Sequence, residues 1–189
     1  GEDCVCKWFK SGVTFEEDFF KSDIHAVDKA EEIIRRFNAA GIIDKPVYLN
    51  KPEVWTFDPD SGPEWAGVKV LQEPFIEGWQ KFNSNTGWVA DDFPWPRAMQ
   101  ALSHFSYHVT AGACVLCDVQ GGVYSDGVVL SDPVILSRQK EYGVTDLGPD
   151  GISTFFARHR CNEFCRKVWN RPRDAIALFP AYKGTSMMG

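Results

Sequence analysis

The chain has 189 residues, enough for one domain with a substantial core. Hydrophobic residues make up 44% and aromatic residues 14%, a composition that argues for a packed globule and against disorder. A net charge of -6 without any basic run gives no footprint for nucleic acid, and no apolar stretch approaches the roughly 20 residues of a membrane helix, so neither kind of partner is expected.

Gly1, Glu2 and Asp3 make a charged start that resembles neither a signal nor a transit peptide. A chain starting on Gly suggests a piece of a longer protein. Residues 4–9, CVCKWF, read as a strand. Residues 23–39 read as a helix, with Ile24, Val27, Ala30, Ile34 and Phe37 close to helical spacing and Gly41 as its stop. PVYLN has strand character. FDPDSGPEWAG, residues 57–67, is dense in Pro, Gly and Asp and reads as a loop. GVKVLQEPFI then predicts a strand ending near Pro74, followed by the turn-rich connector EGWQKFNSNTGWV.

DDFPWP precedes a helix over about 97–108, with Ala98, Ala101, Leu102 and Phe105 on one face. Residues 113–119, ACVLCDV, predict an apolar strand ending on a charge. GG and SDG mark turns around short strands, LSDPVIL is an acid-bearing strand or loop, and DLGPDG is a loop. The last long helix is predicted over 151–168. With strands early and helices late, the pattern predicts an α+β fold of two lobes: residues 1–76 and residues 77–189.

The six cysteines are Cys4, Cys6, Cys114, Cys117, Cys161 and Cys165. In a large apolar chain without a secretory signal they read as reduced thiols of the cytosol or nucleus. Cys161 and Cys165 are four apart and share a face if helical. His159 can join them if the helix begins or bends there. A structural zinc needs four such ligands, and spacing alone leaves the fourth open among His104, His108 and the pair Cys114 and Cys117. The plainer reading is buried thiols beside a capping His. Cys114 and Cys117 lie three apart on a predicted strand and so point to opposite faces. They read as core residues, and strand geometry counts against a CxxC redox centre.

Asp118 ends an apolar strand and Asp132 sits in LSDPV. A carboxylate there is costly unless paired or bound to a cation. Asp118 with Gln120, and Asp132 nearby, suit a Mg²⁺ site and a base; turn-capping acids are the bland alternative. Lys7 is either an edge-strand charge or a phosphate contact. GxxxxGK[ST], GxGxxG, HRD and DFG are all missing, so neither a P-loop NTPase nor an ordinary protein kinase is supported.

ALSHFSY, CDVQGG, LSDPVIL, TDLGPDGISTFF and HRCNEFC occur in order, with CVCKWFK and EPFIEGWQKFNSNTGWV before them. Together they resemble the alpha-kinases, atypical serine/threonine kinases that include elongation factor 2 kinase and the myosin heavy chain kinases. The resemblance implies ATP-dependent phosphorylation of serine or threonine in a protein substrate, and a two-lobed alpha-kinase fold with a zinc-stabilised C-lobe. It implies that Lys7 contacts the α/β phosphates and that Glu73 and Ile76 hold adenine through their backbone. Asp118 and Gln120 would bind Mg²⁺, Asp132 would be the catalytic acid/base, and Gly148 and Gly151 would mark a substrate loop. His104, His159, Cys161 and Cys165 would be the zinc ligands, tying two helices together.

The resemblance lacks one part: the family's two strands and phosphate loop before its lysine strand are not in this chain. A catalytically weak, zinc-stabilised binding module is therefore the alternative. The helix acid facing Lys7 is open between Asp28 and Glu31. Asn83 and Asn85 suit either cleft lining or turn formation.

Overall fold

The computed structural model describes residues 3–7, 16–91 and 94–188. In chain order the elements are β1 (Cys4–Lys7), α1 (Glu16–Ala39), β2 (Val47–Leu49), β3 (Glu53–Thr56), β4 (Lys69–Pro74) and β5 (Gln80–Lys81). There follow α2 (Pro94–Val109), β6 (Cys114–Cys117), β7 (Gln120–Val123), β8 (Val128–Ser131), β9 (Val134–Ser137) and α3 (Gly148–Arg158). The fold is mixed α and β, as expected. The expected drift from strands to helices is not found, because the longest helix comes early and β6 to β9 come late.

One sheet has the order β1-β4-β3 and is antiparallel throughout. A second has the order β2-β8-β7-β5, and β6 pairs with β9 in a third. The first sheet lies wholly before residue 77, and the second joins β2 to the later strands, with β2 parallel to β8. Gly121 of β7 is required by that second sheet: a Cβ there would sit 1.9 Å from the Val129 carbonyl oxygen.

Helical periodicity explains α1 and α2. Ala26, Ala30, Ile33, Ile34 and Phe37 of α1 pack on Ala98, Met99, Leu102 and Phe105 of α2. Phe37 and Phe105 meet edge to face at 5.4 Å. Ile24, expected on that face, is exposed instead. Gly41, with φ 56°, follows the helix as expected.

The β6–β9 ladder is buried on both faces, and its alternation divides the core. Cys114, Leu116 and Ile135 face α1 and α2, while Val115, Cys117, Val134 and Leu136 join Leu147, Ile152, Phe155 and Phe156 on the α3 side. Cys114 and Cys117 are thus both buried, on opposite faces, as their spacing predicts.

The strand over 4–9 is described only to Lys7; Trp8 and Phe9 lie outside the described residues. The helix over 151–168 stops at Arg158, where His159 turns extended (φ -62°, ψ 128°). Its start differs too, since α3 opens at Gly148, inside the expected DLGPDG loop.

Phe37→Ala would remove the ring contact between α1 and α2. A loss of about 3–5 kcal/mol in unfolding free energy is expected, read from the denaturant midpoint at unchanged m-value. A loss below about 1 kcal/mol would show that α1 is not integral to this core.

Candidate active site

Lys7 closes β1 and lies opposite Leu71 of β4. Two residues further along β4, Glu73 is 4% exposed and accepts a hydrogen bond from Lys7 Nζ. Lys7 Nζ also donates to Asp132 Oδ1. Asp118 follows β6, Gln120 opens β7, and Asp132 joins β8 to β9. Both aspartates hold left-handed backbone, φ 57° at Asp118 and 47° at Asp132. Asp tolerates that conformation better than most residues, yet it costs free energy, and such costs cluster at functional sites.

A buried asparagine sets Asp118 in place. Asn83 Oδ1 accepts the Val119 N–H at 2.9 Å, and its amide donates to Ser103 Oγ at 2.9 Å and Gln100 Oε1 at 3.3 Å on α2. Phe82 N–H reaches the Val119 carbonyl at 2.8 Å. The adjacent Asn85 N–H donates to Asp118 Oδ1 at 3.2 Å. Asn83 is therefore neither cleft lining nor an ordinary turn former; it is a bracket beneath the cleft.

Lys7, Glu73, Asp118, Gln120 and Asp132 line one cavity of about 330 Å³. A second, of about 270 Å³, is walled by Lys7, Glu73, Phe75, Ile76, Trp79 and Asp132. Lys7, Glu73 and Asp132 are common to both, so the two hollows form one cleft with the charged cluster at its waist. Gly122 of β7 brings Ile76 close: a Cβ there would meet Ile76 Cγ2 at 2.6 Å.

Three residues missed in the sequence belong to this cleft. Lys81 Nζ pairs with Asp118 at 2.8 Å, both side chains nearly fully buried. Thr185 donates its hydroxyl to Asp118 Oδ2. Asp23 of α1 lines the cleft beside Lys7. Asp28 and Glu31, the acids expected there, do not: Asp28 is exposed, and Glu31 pairs with Lys51 at 2.7 Å. The surroundings of Asp23 shift its carboxyl. Burial pushes it up to about 6, with Asp132 adding and Lys7 opposing. Burial also raises Glu73, helped by Asp132 and opposed by Lys7. Burial lowers the Lys7 ammonium, but Asp132 and Glu73 outweigh it and the net shift is upward.

Oxygen donors suit a hard divalent cation. Asp118 supplies a buried carboxylate, and Gln120, whose amide donates to the Asp132 carbonyl at 3.2 Å, adds a side-chain oxygen beside it. The donor set fits Mg²⁺, provided Lys81 and Thr185 yield part of Asp118.

A second cluster is nitrogen and sulfur. One ligand atom each from His104, His159, Cys161 and Cys165 lies within 4.8 Å of the others. His159 Nε2 is 3.2 Å from His104 Nδ1, Cys161 Sγ is 3.7 Å from His104 Nδ1, and Cys165 Sγ is 3.8 Å from His159 Nε2. A tetrahedral zinc with its usual bond lengths sets such ligands about 3.3–3.8 Å apart. His104 Nε2 faces the Asn170 carbonyl at 3.1 Å, which leaves Nδ1 with its lone pair toward the cluster. Burial, followed by the nearby His104, pushes His159 down to about 3, so this imidazole is neutral. Burial pushes the Cys165 thiol up to about 11. Only His104 is helical. His159 caps α3 and the cysteines lie in irregular chain, so the cluster joins α2 to the segment after α3 rather than two helices.

Gly148 (φ 68°) and Gly151 sit in the first turn of α3. A Cβ on Gly148 would meet Lys140 Cε at 2.5 Å, and one on Gly151 would meet Leu147 and Leu136. They permit close packing where a substrate loop was expected.

The sequence model of the alpha-kinase family matches residues 1–165. The chain belongs to the alpha-kinase family. It is 34% identical over 164 residues to alpha-protein kinase 1 of Dictyostelium discoideum, covering 85% of this chain and 11% of that protein. The fold is similar to that of an alpha kinase from Entamoeba histolytica, with a TM-score of 0.78 at 22% identity over all of this chain and 76% of that one. It is similar too to the alpha-kinase domain of myosin-II heavy chain kinase A solved with AMP-PNP, with a TM-score of 0.72 at 25% identity over 87% of this chain and 63% of that one. The chain therefore spans a small part of its curated relative. No helix among the described residues of this alpha-kinase domain is long and apolar enough to cross a membrane.

Asp23 makes stability depend on pH. Between its ordinary 3.8 and about 6, the folded protein keeps a proton that the unfolded chain releases. Stability from this group therefore falls as pH rises through that window. Asp23→Asn cannot titrate, so its denaturant midpoint should fall less than the wild type's between about pH 4 and 7. An equal fall in both proteins would show that Asp23 titrates normally.

Proposed function

We propose that this alpha-kinase domain transfers the γ-phosphoryl group of ATP to serine or threonine hydroxyls of a protein. The observation that carries this reading is the single cleft shared by Lys7, Asp118, Gln120 and Asp132. Phosphoryl transfer asks little covalent work of a protein; it asks for a cation at the phosphates, acids to hold metal, and a positioned hydroxyl. The cleft offers one of each.

In this reading Lys7 leaves its carboxylate partners for the α/β phosphates, and adenine lies along residues 73–76. The Glu73 side chain, buried against Lys7, orients the ammonium, a task separate from any backbone contact to adenine. Asp118 and Gln120 hold Mg²⁺, which neutralises phosphate charge when bound. Asp132 is about half exposed, so an acceptor can approach it. The acceptor oxygen bonds to the γ-phosphorus, the bond to the bridging oxygen breaks, ADP departs, and Asp132 takes the hydroxyl proton. Gly148 and Gly151 shape the α3 end of the acceptor surface.

His104, His159, Cys161 and Cys165 hold a structural zinc. All four positions are protein ligands, so none is left for water or substrate. The zinc stabilises the C-lobe and stands apart from the chemistry.

Asp132→Ala should lower phosphate transfer to a threonine-bearing peptide by about 10²–10⁴-fold, with denaturant midpoint and zinc content unchanged. Near-normal turnover in a radiolabelled ATP assay would remove Asp132 from the chemistry.

Elemental analysis tests the metal. One zinc per chain is expected, lost in Cys161→Ser or Cys165→Ser and retained in Cys117→Ser. Zinc that survives loss of Cys161, or vanishes with Cys117, would refute the ligand set. Loss should also lower thermal stability, since zinc binding of this kind is folding free energy.

A further inference from the structure

Beyond Arg158 the described chain forms no further helix or strand, yet it is closely held to the body. The holding is done by side chains that bind its backbone. Ser153 donates its hydroxyl to the Ile176 carbonyl and accepts the Ile176 N–H, both at 2.9 Å. Thr154 Oγ1 accepts the N–H groups of Leu178 at 2.9 Å and Phe179 at 3.3 Å. Thr86 forms a two-way pair with Tyr182, donating to its carbonyl and accepting its N–H, each at 3.1 Å. Asn85 does the same with Ser186: its amide donates to the carbonyl at 2.7 Å and its oxygen accepts the N–H at 3.0 Å.

From residue 176 onward most of the large side chains stay outside. Ile176, Leu178, Tyr182 and Met187 are 59%, 50%, 59% and 64% exposed. Phe179 is different and packs on the α3-side core. A terminus folded on for stability would bury such groups. Attachment through main-chain groups is instead how proteins take extended peptides of varied sequence.

Between the two backbone pairs, Thr185 turns its hydroxyl into the cleft. It donates to Asp118 Oδ2 and accepts from Lys81 Nζ at 3.3 Å. Thr185 and Met187 share the cavity with Lys7, Gln120 and Asp132. The segment follows residues 1–165, the part that the family's sequence model matches.

We propose that Asn85, Thr86 and Asp118 form a track for an extended, hydroxyl-bearing peptide, and that residues 182–188 fill it in cis as a pseudosubstrate centred on Thr185. The inhibitory consequence rests on the kinase reading; the track itself is a statement about binding. While the tail is in place, Thr185 occupies Asp118 Oδ2 and the path of an acceptor. Tail release thus precedes acceptor entry and returns that oxygen to the cleft.

The test uses the full chain with Ser186→Pro, which removes the N–H given to Asn85, and separately Thr185→Val. The probe is a fluorescein-labelled peptide of residues 180–189, PAYKGTSMMG, followed by anisotropy. A tethered tail competes at high effective concentration, so the wild type should bind the probe at least about tenfold more weakly than either tail variant. Adding Asn85→Ala to Ser186→Pro should abolish that gain. No binding by any variant, equal binding by wild type and tail variants, or indifference to Asn85→Ala would each overturn the track.

Phosphate transfer to an unrelated threonine-bearing peptide is read separately. A fall in KM in the tail variants is expected; transfer at unchanged KM would overturn the pseudosubstrate role. Absence of transfer from every variant would refute the kinase reading, and the anisotropy result would still decide the track.

Discussion

The cleft depends on a buried amide. Asn83 has no exposed surface, and three hydrogen bonds satisfy its side chain. Two go to α2 and one to the backbone after Asp118. They work with the Phe82 N–H and Lys81 to hold a left-handed Asp118 against the β5 strand. A buried polar group is costly when unsatisfied and fixes geometry when fully bonded. Here the geometry so fixed is the position of the carboxylate that a cation would use. Lys81, two residues before Asn83, balances that carboxylate's charge from the same connector.

The second constraint is electrostatic. Asp23, Glu73 and Asp132 surround the single Lys7 ammonium, which has two direct carboxylate partners. Three acids around one cation leave an excess of negative charge in a partly dry site, which is why burial and Asp132 push Asp23 and Glu73 upward. Such a cluster is held ready to change partners. A polyanion arriving with its own divalent cation can take Lys7 and return the carboxylates to water. In the proposed function, the cluster at the waist of the cleft is a charge arrangement that a metal–nucleotide complex would resolve, rather than a static stabilising bridge.

Much of this was legible in sequence where the signal is local and periodic. The apolar faces of α1 and α2 and the opposite faces of Cys114 and Cys117 follow from spacing alone. So does the expectation of an acid at the end of a buried strand. What was hidden is long-range. Lys81 and Thr185 are single polar residues in turn-rich segments, and nothing nearby in sequence announces that both reach Asp118. Asp23 precedes the buried stripe of its helix, where it passes for a solvated acid, whereas Asp28 and Glu31 look equally good until the helix is placed. The premature end of α3 was hidden for another reason. Phe164 and Val168 extend its apolar pattern, but gathering His159, Cys161 and Cys165 beside His104 needs irregular chain, so tertiary geometry overrides local preference.

Helix α2 connects the two clusters. Gln100, Ser103 and Ser106 form a buried polar stripe at helical spacing along α2, and the half-buried Thr110 follows directly after the helix. The first two hold Asn83, Ser106 Oγ accepts the Leu116 N–H at 2.8 Å, and Thr110 Oγ1 accepts the Cys114 N–H at 3.2 Å. One turn of helix from Gln100, His104 faces His159 and the thiols. The same rigid helix thus fixes both ends of β6, supports Asp118 through Asn83, and carries a donor of the nitrogen–sulfur cluster. A cation in that cluster would restrain the helix that positions the acid without touching the cleft. Burial has already set its imidazoles neutral and opposed ionisation of the Cys165 thiol. A metal bound there would offset the free energy of gathering those groups, and α2 would carry the restraint to Asn83 and so to Asp118.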